Sequence, residues 1–177
     1  MSQFDEKTLE LLVDIEQMLR EENIAAVLKK KGEEDYTFSM LSALIENMSF
    51  EGMDGLGEFF FMPEKEGLSE IGIFQSVITF AEDVDADTLE KLNQVASILN
   101  FYMESGSFSG DCEGRNFTFK TSVVLPLEGD METLKSIVEL NAGQAIITAT
   151  SFADVFRKVV VGTMSIDEIR ELVSPKE

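Results

Sequence analysis

Apolar residues recur at helical spacing over residues 5–28: Leu12, Ile15 and Leu19, widened by Leu11 and Met18, with Glu10, Asp14, Glu16 and Glu21 outside the stripe. Asp5 and Glu6 suit the positive end of that helix dipole, and the run Lys29-Lys30-Lys31-Gly32 reads as its C-terminal stop. Residues 36–48 fit two patterns. Phe38, Met40 and Ser42 alternate, whereas Leu41, Leu44, Ile45 and Met48 keep helical spacing, and the first half is expected to form an edge strand of a mostly antiparallel sheet. Gly52 to Gly57 reads as a flexible turn or bulge. Residues 58–62 and 72–81 read as strands joined around Pro63 and Gly67. In the second, apolar side chains fall on both faces, which marks a central strand.

Further along, the acidic residues 82–87 are placed to start a helix over residues 88–102, with Asp87 as its cap and Glu90 adding first-turn charge. Leu89, Leu92, Ala96, Leu99 and Met103 form its core stripe, broadened by Val95, Ile98 and Tyr102. Residues 107–125 are the clearest hairpin. Phe108, Gly110 and Cys112 share one face of the first arm; Phe117, Phe119, Thr121, Val123 and Leu125 share one face of the second. The turn falls at Glu113-Gly114-Arg115, with Gly114 expected to take a positive φ. A helix then opens at Gly129-Asp130-Met131-Glu132. Leu134, Ile137, Val138 and Leu140 give it an apolar face that continues past Gly143, a permitted bend, through Ile146, Ile147, Phe152, Val155, Phe156 and Val159. Gly162 ends it. Ser165 and Glu168 form a capping box ahead of Ile166, Ile169 and Leu172, and the residues from Pro175 onward are expected to fray.

The chain of 177 residues, 44% hydrophobic with 14 phenylalanines, suits one domain spanning residues 1–177. With 34 acidic against 14 basic residues, the formal charge is −20. That charge serves solubility and self-repulsion, or presents a surface to a basic partner; it disfavours nucleic acid, whose phosphates need clustered cations. No apolar run approaches the roughly 20 residues of a membrane-spanning helix, and acidic helix faces are repelled by anionic lipid. With a single cysteine and no positively charged leader, the expected compartment is the cytoplasm.

Histidine is absent, which removes Ser-His-Asp, Cys-His and HExxH chemistry together. The segment Gly52-Met53-Asp54-Gly55-Leu56-Gly57 lacks the Gly-Lys-Ser/Thr ending of a nucleotide loop. The acids at 82–87 lack the glycine and terminal glutamate of a calcium loop. Cys112, flanked by Asp111 and Glu113, reads as a buried or partly buried structural residue, because like charges oppose a reactive thiolate. Arg115 reads as an exposed turn residue, and Lys29 to Lys31 as a solvated helix end. No catalytic, cofactor-binding or metal-binding residue is assigned, and no cofactor is implied.

The stretch G-S-F-S-G-D-C-E-G-R-N-F-T-F-K-T-S-V-V-L-P at 106–126, together with V-G-T-M-S-I-D-E-I-R-E-L at 161–172, resembles the YbjN family, whose fold is similar to type III secretion chaperones. The resemblance extends over most of the chain. It implies an α+β protein with helices around an antiparallel sheet, often dimeric, linked to regulatory or chaperone-like interactions and carrying no shared catalytic signature. The functional expectation is therefore a noncatalytic protein-interaction module that forms a homodimer through an apolar helix or sheet face and takes a protein or peptide partner with a basic rim. A carboxylate-dependent metal enzyme and a small-ligand sensor are the alternatives.

Overall fold

The computed structural model describes residues 2–48, 54–67 and 69–173. Its elements are α1 (Gln3–Glu21), β1 (Ala26–Lys29), β2 (Met40–Ile45), β3 (Gly55–Phe61), β4 (Ile71–Ala81), α2 (Ala86–Tyr102), β5 (Ser107–Asp111), β6 (Asn116–Pro126), α3 (Met131–Val160) and α4 (Ile166–Val173). The strands form one sheet in the order β1-β2-β3-β4-β6-β5, with every neighbouring pair antiparallel. This is the α+β architecture with an antiparallel, helix-flanked sheet that the apolar pattern predicts.

Helix α1 is shorter than its stripe suggests. Asn23 adopts φ 61°, and the Ile24 amide donates to the Leu19 carbonyl at 2.8 Å, closing a left-handed terminus. The chain then turns back as edge strand β1, so residues 26–29 belong to the sheet and Lys29 to Lys31 lead into the β1–β2 connection. Ala26 and Leu28 continued the helical spacing by coincidence, since an alternating strand also repeats apolar residues at even intervals. Strand β2 occupies the middle of the ambiguous segment and lies inside the sheet between β1 and β3, not at the expected edge. Gly55 and Gly57 are strand residues facing the core, where a side chain at Gly55 would meet Met48 Cβ at 2.6 Å and the Thr79 carbonyl at 2.9 Å. The preceding residues of that glycine segment, Gly52 and Met53, lie outside the described residues, as does Pro175.

The register segregates the strands into two faces. One face carries Leu41, Phe59, Phe74, Ile78, Phe119 and Leu125, all fully or almost fully buried. Helix α1 lies over β1 to β3, and α3 over β4 and β6. The buried residues form one continuous core. Its aromatic centre gathers Phe80, Phe108 and Phe117 around Phe156 of α3, whose ring centroid is 4.7 Å from that of Phe117 and 4.8 Å from that of Phe108.

Helix α3 runs unbroken for 30 residues. It buries Leu134 and Val138, then Ala142, Ala145, Ala149 and Ala153, then Phe156 and Val159. The alanines keep the middle of the helix thin where it crosses the large side chains of β4 and β6. One polar contact lies in this seam: Ser76 Oγ, fully buried on β4, donates to Asn141 Oδ1 on α3 at 3.1 Å. Leu140 and Ile147, expected on the apolar face, are instead 62% and 68% exposed. A stripe of leucine and isoleucine drawn at three- and four-residue steps had drawn them in, whereas the helix turns its alanines inward.

Helix α2 covers the β5 edge. Asn93 Oδ1 accepts from the Gly110 amide at 2.7 Å, and Asn100 both accepts from the Phe108 amide at 2.8 Å and donates to the Phe108 carbonyl at 2.9 Å. Seven residues, about two helical turns, separate the asparagines and put both on the same face of α2. They occupy the backbone groups an added strand would need. The cap of α2 is Asp85, not Asp87, and its carboxylate accepts from the Thr88 amide at 2.9 Å. Asp130 does the same for α3, accepting from the Thr133 amide at 3.0 Å and the Thr133 hydroxyl at 2.8 Å. The final helix has its capping box, with Ser165 and Glu168 bonded reciprocally.

Two outcomes are expected. Asn100→Ala leaves the Phe108 backbone unpaired at the sheet edge and should cost about 1–2 kcal/mol, read as a lower urea midpoint at unchanged m. Asp130→Ala should lower Tm by about 2–4 °C at pH 7. Hydrogen bonds from the Thr133 backbone and hydroxyl hold Asp130 below its ordinary value of 3.8. Because the folded pKa is the lower one, the cap's contribution is complete above that ordinary value and fades as pH falls through the folded one. A thermal series from pH 7 to pH 2 should therefore show the two proteins converging at the acid end.

Candidate interaction surface

Every helix packs directly or through another helix on the same face of the sheet, so the second face is bare. Its positions come from the alternate residues of all six strands, each of them exposed or partly exposed. Apolar side chains are frequent there: Leu44 is 52% and Val124 64% exposed, with Leu56, Phe60, Ile73 and Val77 between them partly covered by their neighbours. Phe60 packs on Phe38 at 5.4 Å between ring centroids. Natural antiparallel sheets with one solvated face alternate apolar with polar residues, and this outer face is more apolar than that pattern provides.

Charge is arranged differently on this face than on the rest of the molecule. Lys29 and Lys120 offset Glu58 and Asp111, so a chain of net charge −20 presents a sheet face with no excess charge. Lys29 Nζ sits 5.2 Å from the centre of the Tyr36 ring, and contact with Tyr36 raises its pKa. Glu58 is the one acid near the middle. Partial burial among its neighbours pushes its carboxyl above the ordinary range, opposed by attraction to Lys29 and reinforced by Glu82.

The residues singled out from sequence lie elsewhere and do not converge. Strand β5 ends at Asp111, so Cys112 is in the turn and exposed; the alternation of the first arm had carried it into the strand and into the core. Gly114 does not take the positive φ. Arg115 does, at 52°, and Gly114 is required by space, since a Cβ there would approach Asp111 Oδ2 to 2.5 Å. Arg115 is an exposed turn residue that also holds the fold together. Its guanidinium donates to the Val84 and Asp83 carbonyls at 3.1 and 2.9 Å, fastening the hairpin to the loop ahead of α2. Beside it a groove of about 600 Å³ runs between α2 and the turn, with Leu89, Asn93, Cys112 and Arg115 on its walls. Lys31 pairs with Asp5 at 3.0 Å. Among the described residues no three His, Cys, Asp or Glu side chains group in a way that could hold a metal ion, and no helix is long and apolar enough to cross a membrane.

The core stripe of α2 is spent inside the molecule. Leu89, Leu92, Val95, Ala96 and Leu99 are all buried against β5, β6 and α3. What remains uncovered includes the sheet face, with Phe101, Leu140 and Ile147 exposed on the helices; the sequence shows that sheet face only in part, through the two apolar faces of residues 72–81, because its other residues come from separate segments. The cross-strand register is the signal that assembles them.

These features define the class: an α+β protein with all helices on one side of an antiparallel sheet. No protein-family model matches the chain, and no curated protein matches it.

Exposure of Cys112 has a direct consequence. The folded protein should react with a thiol reagent such as dithionitrobenzoate in native buffer as fully as in denaturant, and Cys112→Ser should leave the urea midpoint unchanged. Protection of the thiol until unfolding would contradict its position in the turn.

Proposed function

We propose that this chain is a noncatalytic protein-interaction module, regulatory or chaperone-like, that works through its open sheet face. The observation that carries the reading is the combination of one-sided helix packing with an outer face that is apolar and free of excess charge. A solvated sheet face that binds nothing is commonly studded with lysine, glutamate and threonine, which keep it in water. Here the carboxylates crowd the helices and loops. Docking by strand addition is blocked at β5 by Asn93 and Asn100, and in this reading recognition uses side chains of the face.

The resemblance of residues 106–126 and 161–172 to the YbjN family, and through it to type III secretion chaperones, supports the same reading. The partner's contacting surface is apolar and electroneutral at its centre. A basic rim on that partner meets the acidic loops that border the sheet, such as Glu82 and Asp83, and not the face itself.

Site-specific photo-crosslinking tests this. A photoreactive side chain at position 77, in the middle of the face, should give protein adducts in cells. The same group at position 147, on the exposed side of α3, should give only background. Adducts from position 147 with none from position 77 would overturn the reading.

A further inference from the structure

We infer that the groove between α2 and the β5–β6 turn binds a small amphiphilic cation, an ammonium head carried on an apolar chain or ring. The groove belongs to the helical layer and is separate from the open sheet face. Val84 and Leu89, both buried, form its floor, while Cys112 and Arg115 on the turn face Glu90, Gln94 and Ser97 along α2. Apolar surface predominates on its walls. Its volume of about 600 Å³ lies in the roughly 300–1,000 Å³ range of small-molecule sites and equals that of about twenty waters at about 30 Å³ each.

The two walls are fixed to one another without help from a ligand. At one end the Val84 amide donates to the Arg115 carbonyl at 2.8 Å, and the Arg115 guanidinium donates back to the Val84 and Asp83 carbonyls. At the other, Asn93 Oδ1 accepts from the Gly110 amide at 2.7 Å, and α2 approaches so closely that a Cβ on Gly110 would meet Leu89 Cδ1 at 2.5 Å. A groove shaped in advance spends little of a ligand's binding energy on ordering itself.

The sign of the occupant's charge follows from the surroundings. Residues 82–97 and 111–115, which supply the walls, carry seven acids and two bases, Lys91 and Arg115. Two features could draw an anion, and both are engaged. The Arg115 guanidinium is spent on carbonyls, and the α2 N-terminus is taken by Asp85, whose carboxylate accepts from the Thr88 amide at 2.9 Å. Of the residues that line the groove, Glu90 alone is a carboxylate, and among the described residues it takes part in no salt bridge. An ammonium beside Glu90 gains an opposite charge and can donate to the side-chain oxygens of Gln94 and Ser97, while its hydrocarbon covers Val84 and Leu89. A carboxylate or phosphate in the same place would meet repulsion from the acidic walls.

Titration of the full chain with decylammonium, decanoate and methylammonium tests the assignment. Binding is followed by NMR of the Asn93 and Gln94 side-chain amides and by the rate at which uncharged iodoacetamide alkylates Cys112. Decylammonium should shift both amides with one saturable constant below about 1 mM and slow the alkylation at least about fivefold at saturation. Decanoate has the wrong charge and methylammonium has no apolar body, so each should bind at least about tenfold more weakly. Glu90→Gln should weaken decylammonium about two- to fivefold and Glu90→Lys at least about tenfold. Glu66→Lys makes the same change in net charge beyond the far end of β4, about 35 Å away, and should leave the constant unaltered. Ser97→Trp, which fills the groove from the exposed side of α2, should abolish the protection of Cys112, with circular dichroism confirming that each variant is folded.

Equal affinity for decanoate and decylammonium would overturn the inference, as would an unchanged constant in Glu90→Lys. So would shifts that gather on β3 and β4 while Asn93 and Gln94 stay still, or a Cys112 that decylammonium leaves unprotected. None of these outcomes bears on the sheet face, which the crosslinks at position 77 decide by themselves.

Discussion

The structure depends on how closely α3 can approach the sheet. A helix that crosses strands rich in phenylalanine must either stand off or become thin, and α3 does the second by turning Ala142, Ala145, Ala149 and Ala153 toward β4 and β6. Its two ends are wide. Leu134 and Val138 fill the space at one end, and Phe156 enters the ring cluster of Phe80, Phe108 and Phe117 at the other. Close packing of this kind leaves no room for methylene-sized changes in the middle of the seam. The Ser76–Asn141 hydrogen bond, set among apolar neighbours, allows one sliding position of helix on sheet, because any other leaves a buried hydroxyl unpaired.

Once that seam is set, the remaining elements have few choices. Helix α1 takes the other half of the sheet and is tied to α3 by Lys135, which reaches Asp14 at 3.1 Å. Lys7 extends from α1 to the Leu127 carbonyl at the end of β6. Helix α2 has only the β5 side left, and it meets that edge with two asparagines whose amides imitate a neighbouring strand. The result is asymmetric. All helices are on one face, one sheet edge is closed, and the outer face has nothing from its own chain to cover it.

That asymmetry connects fold to function. The excess of twenty negative charges is spread over the helices and the loops at the strand ends and keeps both solvated. The sheet face is exempt, because its alternate positions were filled with aliphatic residues, threonine, serine and a balanced set of four charges. The molecule keeps apolar side chains exposed on both layers, those of the sheet face lying among balanced charges. Its carboxylates have local duties, capping α2 and α3 at Asp85 and Asp130 or pairing with lysine and arginine along the helices, and none is brought to a shared centre.

Helix and strand identities were legible in the chain because they follow from local periodicity and capping chemistry. The hairpin at 107–125, the central character of β4 and the Ser165–Glu168 box are all short-range facts. The errors fell where two periods agree or where packing chooses between equal candidates. Residues 26–28 satisfy both a helix and a strand, and Asn23 in the left-handed region decided between them. Leucine and isoleucine at 140 and 147 outrank alanine in any hydrophobic count, yet the space above the sheet admits only alanine. Cys112 followed its strand by one residue too many, since alternation carries no mark of where pairing stops. The bareness of the outer face could not be read at all from one strand. It needs the register that aligns Glu58, Val77 and Lys120 from three separate segments, and the placement of all the helices on the opposite side. The sequence by itself determined which elements form and that no histidine-based chemistry operates; only the tertiary structure, by fixing long-range neighbours, decided which apolar side chains remain exposed.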